Sequence, residues 1–420
     1  MWQRFSLTRE FPTSLFHYNV RDPSGMEIQR IAVIGTGLMG HGITQVFVAK
    51  GYDVCILSRS RDSLDRAVQE IEWSLGKFVE KGSLSRDKAD VALSRITTTT
   101  SYAKAVGDVD LVLEAVSENM ELKRRVFSKV DELAPAHAII ATNTSTLSVT
   151  EMGNATKRPD QTIGMHWFIP PQLTQLIEVI RGNATSNETV NAIMDVCRRL
   201  GKMPILCKKD ARGFIVSRIL VAMFNEAFWT LSRKEAAIIE IDASVRHGGG
   251  FPMGWFELVD FVGVDVEYDV SKILHEAHGE RYCPRLELTE PLVKAKKLGR
   301  KTGQGFYDWS KGRPAIPPEL KGRYDVERSW AVAVNEAAYM VLEDVAEPES
   351  IDLGMKLGTG WPSGPCEYAD KKGLDTILQK LKAAYSQYPI ELYKPCPLLE
   401  EYVNRGWTGK KSGKGFHKHQ

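Results

Sequence analysis

Closely spaced cysteines, the mark of a metal or redox site, are missing here: the six at 55, 197, 207, 283, 366 and 396 form no Cys-x-x-Cys pair. Scattered thiols of this kind read as reduced residues in a reducing compartment, so the expectation is no disulfide, no metal and a cytoplasmic protein. No apolar run is long enough to span a bilayer, which excludes a membrane-spanning chain. Charge of one sign is not in excess either, with 55 basic residues against 53 acidic ones and a net charge of +2. That balance argues against a nucleic-acid or membrane-surface partner. Low-complexity tracts are absent, and 420 residues that are 43% hydrophobic suffice for two or three domains with real cores. Residues 1–27 carry Arg4, Arg9 and Arg21 among Ser, Thr and aromatics but lack the apolar core of a secretory signal, and read as an N-terminal extension.

What the chain does have is alternation. Ile31–Ile34 reads as a short buried strand, the loop Gly35-Thr36-Gly37-Leu38-Met39-Gly40 follows, and 41–50 has helical spacing until Gly51. Further strands at 53–57, 110–114 and 138–141, with a charged helix over 61–81, imply parallel βαβ units. The fold class is therefore α/β, a Rossmann-type doubly wound sheet over about 28–208. In such a loop Gly35 allows the tight turn, Gly37 lets the backbone approach a pyrophosphate and Gly40 lets helix and strand lie close. The amides at Leu38 and Met39 open the helix N-terminus, which favours phosphate. A carboxylate at the end of the second strand would accept hydrogen bonds from a free ribose diol, but this chain has Ser58 and Arg59 there. A hydroxyl and a guanidinium suit a 2′-phosphate, so NADP is favoured over NAD within a nicotinamide cofactor class, NAD(P).

Downstream stand a hydroxyl, an imidazole and a carboxylate: Ser145, His166 and Glu178. Oxidising a secondary alcohol requires removal of the hydroxyl proton as hydride leaves, and imidazole suits that task near neutral pH. Strands at 162–168 and 176–181 with a turn centred on Gln172 would make His166 and Glu178 cross-strand neighbours. Glu178 would then fix the imidazole tautomer and stabilise its charged form. Ser145, at a strand end, would hold the substrate oxygen. Taken singly, the three also read as a core histidine, an exposed strand residue and a helix N-cap.

Thr142-Asn143-Thr144-Ser145, Gly164-Met165-His166-Trp167-Phe168, Leu176-Ile177-Glu178-Val179 and Gly213-Phe214-Ile215-Val216-Ser217-Arg218 occur in that order. The set resembles the short-chain L-3-hydroxyacyl-CoA dehydrogenases, from about Ile28 to the C-terminus. The resemblance implies reversible oxidation of a 3-hydroxyacyl-CoA, such as 3-hydroxybutyryl-CoA, to the 3-ketoacyl-CoA in fatty-acid or short-acyl-CoA metabolism. It also implies a catalytic role for Ser217, places Glu118 and Lys123 near the nicotinamide ribose, and places Ser74 and Lys81 against coenzyme A. Two positions depart from the family pattern, since Ile169 and Ser217 stand where Asn is usual. Ser217 keeps a donor and an acceptor; Ile169 has neither. A lost positioning hydrogen bond slows such a reaction by about one to three powers of ten. The rival readings are a Rossmann dehydrogenase acting on a free hydroxyacid, with a lysine in place of His166, and a catalytically weak dinucleotide-binding protein.

The rest of the chain repeats. Asn225-Glu226-Ala227 recurs as Asn335-Glu336-Ala337, Ile241-Asp242 as Ile351-Asp352, and the Lys301–Phe306 segment as Lys411–Phe416, always at an offset of 110 (335 − 225, 352 − 242, 411 − 301). Such a constant offset means a tandem duplication of one helical domain, expected over 209–314 and 315–420, with Pro314, Pro317 and Pro318 at the junction. Simpler members of the family dimerise through a single copy. Two copies in one chain predict an intramolecular pseudo-dimer, hence a monomer, with a homodimer as the alternative. Arg323-Tyr324-Asp325-Val326-Glu327-Arg328 answers to the Gly213–Arg218 segment without its apolar approach or the residue at the Ser217 slot. The second copy is expected to be structural, leaving one active site per chain.

Overall fold

The computed structural model describes residues 28–419, so the expected N-terminal extension over 1–27 lies outside the described residues. Eight strands form one sheet: β1 (Arg30–Ile34), β2 (Asp53–Leu57), β3 (Ile96–Thr99), β4 (Leu111–Glu114), β5 (Ile139–Thr142), β6 (Thr162–Trp167), β7 (Leu176–Ile180) and β8 (Met203–Cys207). Their spatial order is β3-β2-β1-β4-β5-β6-β7-β8. Every neighbouring pair is parallel except β6 and β7. Successive side chains of a strand point to opposite faces. Accordingly Ile31 and Val33 join one buried cluster with Phe47 and Ile56, while Ala32 and Ile34 join a second with Val112 and Phe127. Helices α1 (Leu38–Ala49) and α2 (Arg61–Glu80) follow the first two strands.

Periodicity finds six of the eight strands. The two it misses are the sheet edges, Ile-Thr-Thr-Thr in β3, with a single apolar residue, and Met-Pro-Ile-Leu-Cys in β8, whose Pro204 an edge strand tolerates.

Beyond the sheet the chain is helical. The Val216–Ser232 and Val326–Leu342 helices pack against one another, and most residues of each are buried. A helix apolar on nearly all sides is one covered on all sides. Each is covered by its own copy and by the other. Two buried ion pairs cross this seam, Arg218 with Glu336 and Arg328 with Glu226, and both partners are related by 110 (328 − 218, 336 − 226). Phe251 also meets its own counterpart, Trp361, edge to face at 5.1 Å.

The approach to the second copy's first long helix is closed by an aromatic ring. Tyr324 is buried, and its hydroxyl donates to Glu226, so an inserted aromatic replaces the apolar segment rather than leaving a gap. The junction is docked as well: Ile316 is buried and its carbonyl accepts from His247 Nε2 at 3.0 Å.

Candidate active site

Strand order reverses between β1 and β4, which opens a crevice at the carboxyl ends of these strands. The glycine loop crosses it. Gly35 has a φ of +123°, and a Cβ there would lie 2.4 Å from the Ala115 carbonyl oxygen; a Cβ on Gly40 would lie 2.1 Å from that of Gly35. A side chain at either position would push the loop off the sheet. A Cβ added at Gly37 would meet no other part of the chain within 4 Å, and Leu38 beside it is 55% exposed. The first turn of α1 holds no acidic residue, leaving its amides and positive end to an anion. This cradle fits a dinucleotide pyrophosphate. Met39 is half-buried against the sheet core. Past the end of β2, Ser58 hydrogen-bonds the Ser63 hydroxyl at 2.7 Å and Arg59 is exposed.

On the β4 side Glu114 is fully buried. It takes hydrogen bonds from Lys123 Nζ at 2.8 and 3.0 Å, from Thr142 Oγ1 at 2.7 Å and from the Val116 amide at 2.6 Å. Lys123 also reaches Glu118 Oε2 at 3.2 Å, while Glu118 Oε1 accepts from the Thr144 hydroxyl and from the Ser145 amide at 3.0 Å. Burial works to raise the Glu118 pKa, but the Lys123 ammonium and these donors together hold it below the ordinary carboxylate value. The network ties the loop after β4 to the loop after β5, and so fixes the backbone of Ser145. The Ser145 hydroxyl keeps no intramolecular hydrogen bond among the described residues. The alternative N-cap role belongs to Ser148, which accepts from the Glu151 amide at 3.0 Å.

The antiparallel pairing of β6 and β7 sets His166 directly opposite Glu178. His166 Nδ1 lies 2.6 Å from Glu178 Oε2, and Glu178 Oε1 accepts from the Ile215 and Val216 amides at 3.0 Å each. The carboxylate is fully buried and seated on the first amides of the Val216–Ser232 helix, whose positive end complements its charge. With Nδ1 engaged, Nε2 is the nitrogen left to act as an acceptor. Phe168 packs 4.5 Å from the imidazole and Phe214 6.0 Å, centroid to centroid. Ser217 is half-buried in the first turn of the same helix, and Ile169 is 56% exposed. Ser74 sits on the buried side of α2 with 7% exposure, and Lys81 is exposed just past its end.

Three supporting residues escape a reading of the chain alone. Asn143 Oδ1 accepts from the Trp167 amide at 2.9 Å, anchoring β6 next to His166. Asp210 accepts from the Val149 amide at 3.1 Å and the Thr150 amide at 2.8 Å, and Glu114 organises the Lys123 network. Asn143 lies inside the Thr142–Ser145 motif, which is the signal that could have found it; the other two act across long stretches of chain.

A doubly wound sheet, a glycine loop at its switch point and an imidazole backed by a buried carboxylate are the makings of a nicotinamide-dependent oxidoreductase. Comparison with known proteins narrows the class. The 3-hydroxyacyl-CoA dehydrogenase NAD binding domain matches residues 30–211, and the 3-hydroxyacyl-CoA dehydrogenase C-terminal domain matches 213–309 and again 324–419. The chain is 40% identical over 283 residues to a 3-hydroxybutyryl-CoA dehydrogenase of Clostridioides difficile, covering 67% of this chain and 100% of that protein. It is 28% identical over 466 residues to a 3-hydroxyadipyl-CoA dehydrogenase of Escherichia coli, covering 90% and 98%. A solved 3-hydroxybutyryl-CoA dehydrogenase structure from Escherichia coli superposes with a TM-score of 0.84 at 28% identity, covering 90% of this chain and 99% of that one. This chain belongs to the 3-hydroxyacyl-CoA dehydrogenase family, oxidoreductases acting on CH–OH groups with a nicotinamide cofactor. Among the described residues, no helix is long and apolar enough to cross a membrane.

Proposed function

We propose that this chain transfers hydride reversibly between C3 of a 3-hydroxyacyl-CoA, with 3-hydroxybutyryl-CoA as the first substrate to try, and a nicotinamide cofactor. The observation that carries the reading is the buried His166–Glu178 pair at 2.6 Å. His166 Nε2 takes the hydroxyl proton during oxidation and returns it during reduction. Glu178, held by the Ile215 and Val216 amides, keeps the ring in one orientation and stabilises the imidazolium. Ser145 donates its unspent hydroxyl to the substrate oxygen, and Ser217, at the helix start that seats Glu178, assists it. The bound nicotinamide supplies the hydride acceptor for oxidation and the donor for reduction. Gly35, Gly37, Leu38, Met39 and Gly40 form its phosphate cradle, with Glu118 and Lys123 on the nicotinamide ribose side. Ser74 and Lys81 on the α2 arm meet coenzyme A.

We assign a preference for NADP to Ser58 and Arg59, because an exposed guanidinium beside a hydroxyl matches a 2′-phosphate. The domain limits we assign are 28–208, 209–314 and 315–420. The second helical copy supports the first, and the chain works as a monomeric pseudo-dimer. We infer a reducing compartment such as the cytoplasm from the scattered spacing of the six cysteines.

Acetoacetyl-CoA reduction followed with NADH and NADPH in parallel tests this reading. Turnover is expected with both cofactors and faster with NADPH, and Arg59→Ala should remove the NADPH advantage. His166→Ala and Glu178→Gln should each cost about a hundred- to ten-thousand-fold in kcat. Dinucleotide binding without turnover would sink the catalytic assignment and turn attention to Ile169, where restoring Asn is the first repair.

A further inference from the structure

A second cluster of reactive side chains lies far along the chain from the hydride-transfer residues. His275 in the last turn of the Val264–His278 helix, Glu280 in the single-turn helix Gly279–Tyr282 and Cys283 just after it bring an imidazole nitrogen, a carboxylate oxygen and a sulfur within 4.8 Å of one another. His275 Nε2 lies 3.3 Å from Glu280 Oε1. The three are reachable from solvent, with the His275 and Glu280 side chains 37% and 71% exposed and Cys283 half-buried.

The second helical copy shows how the same corner is built without these ligands. There Glu391 accepts from the Tyr385 hydroxyl at 3.4 Å and from Lys394 Nζ at 3.2 and 3.1 Å. Tyr385 answers to His275 at the usual offset (385 − 275 = 110). One residue is inserted in the turn, so Glu391 answers to Glu280 and Lys394 to Cys283 at 111 (391 − 280, 394 − 283). The carboxylate is common to both copies. Its phenol neighbour has become an imidazole and its ammonium neighbour a thiol, so two pure hydrogen-bonding partners are replaced by two metal ligands.

We propose that His275, Glu280 and Cys283 bind a divalent zinc ion, which supplies in the first copy the positive charge that Lys394 supplies in the second. Three protein ligands of N, O and S type with a water in the fourth position suit tetrahedral zinc, and the sulfur disfavours magnesium and calcium. Metal bonds of about 2.0–2.3 Å need the ligand atoms to draw closer together, which rotation of the two exposed side chains provides. The location gives the ion a purpose. Glu280 and Glu391 both line a cleft of about 430 Å³ between the copies, and the turns that carry them pack together. Tyr282, between two of the ligands, is fully buried and donates its hydroxyl to the Arg218 carbonyl at 3.0 Å. The ion therefore stiffens the first copy's turn where it meets the second. A search for paired cysteines misses the set because its ligands are of three kinds.

The test uses the full chain, stripped of metal with a chelator and titrated with cobalt(II) and then zinc(II). One equivalent of cobalt should bind with a thiolate-to-metal charge-transfer band that zinc abolishes, and zinc should raise the melting temperature. Cys283→Ser should remove the band and weaken zinc binding by about tenfold or more, and the double variant His275→Tyr with Cys283→Lys, which installs the second copy's arrangement, should bind no zinc and still fold. A cobalt spectrum with no thiolate band, or zinc affinity unchanged in Cys283→Ser, overturns the proposal.

Discussion

The two helical copies hold the same aspartates with different rings. In the first, Asp242 accepts from the Phe256 and Glu257 amides at 3.0 and 2.8 Å and from the Tyr307 hydroxyl at 2.9 Å, and Asp260 accepts from Trp309 Nε1 at 2.9 Å. In the second, Asp352 and Asp370 keep the backbone contacts, but His417 and His419 stand in for the tyrosine and tryptophan at 2.7 and 2.9 Å. A buried carboxylate stripped of its donors is costly, so it persists through duplication while any ring that donates can serve it. Faces that meet different neighbours have diverged further. The second copy's Pro348–Thr359 helix presents Gly354 and Gly358 to the sheet, where added Cβ atoms would lie 2.8 Å from Ile205 Cδ1 and 2.8 Å from Leu176 Cδ2. The first copy has Ser244 and Gly248 at these places, in a π-helical turn. Ser244 Oγ there accepts from the Gly322 and Tyr324 amides at 3.1 and 3.2 Å. One copy is shaped to pack on the sheet and the other to hold the junction.

Cutting the seam should have the largest effect on this arrangement. Arg218 is fully buried, donating through Nε to Glu336 Oε1 at 2.8 Å and through a terminal nitrogen to Glu343 at 3.0 Å. Arg218→Leu leaves Glu336 buried without its main partner and should cost about 3–5 kcal/mol of unfolding free energy in urea titrations. Arg328→Leu should cost less, because Glu226 keeps the hydroxyls of Thr230 at 3.1 Å and Tyr324, whereas Glu336 keeps the longer Arg281 Nε contact at 3.4 Å. Equal losses at the two positions would mean that the pseudo-symmetry extends to energetics.

Equivalent glycines of the two copies have different neighbours. Gly358 also approaches the Phe168 ring, which packs on His166, with 3.4 Å from an added Cβ to Phe168 Cε1. Gly358→Val should destabilise by about 1–3 kcal/mol through overpacking and lower kcat by displacing Phe168. Its counterpart Gly248 has nothing within 4 Å of an added Cβ, so Gly248→Ala should leave both quantities unchanged. If Gly358→Val lost stability but kept full kcat, the second copy would be a scaffold that does not touch catalysis.

These differences mark what the chain discloses by itself. The glycine loop and the His166–Glu178 register are local patterns, a strand-turn-helix and a hairpin, and both are legible residue by residue. The tandem offset is equally plain, and Glu226 and Glu336 lie within its repeated triplets. Their partners Arg218 and Arg328 are not legible, because which repeated cation meets which repeated anion depends on how the copies face each other. The Glu114–Lys123 network is hidden for the same reason, since Thr142 joins it from 28 residues away. Edge strand β3 carries too little apolar periodicity to register, and Pro204 in β8 argues against a strand.

The smallest effect separates the copies by pH. The Asp352 carboxylate raises the His417 pKa from an ordinary 6.5 to about 9, with burial working against it. A folded-state value above the unfolded one means that this pair stabilises fully below about pH 6.5 and fades as pH rises through 9. In the first copy burial pushes Asp242 up from 3.8 to about 7, and its contribution is lost in a lower window, as pH rises from about 4 to 7. His417→Tyr installs the first copy's ring in the second. Because the His417 side chain is 17% exposed, the pH-dependent part is discounted to about 1 kcal/mol. Melting curves from about pH 6 to pH 9 should show a decline in the parent chain above neutrality that the variant flattens, with the decline below neutrality retained in both. A variant that kept the upper decline would transfer it to another group and leave the two aspartate corners electrostatically alike.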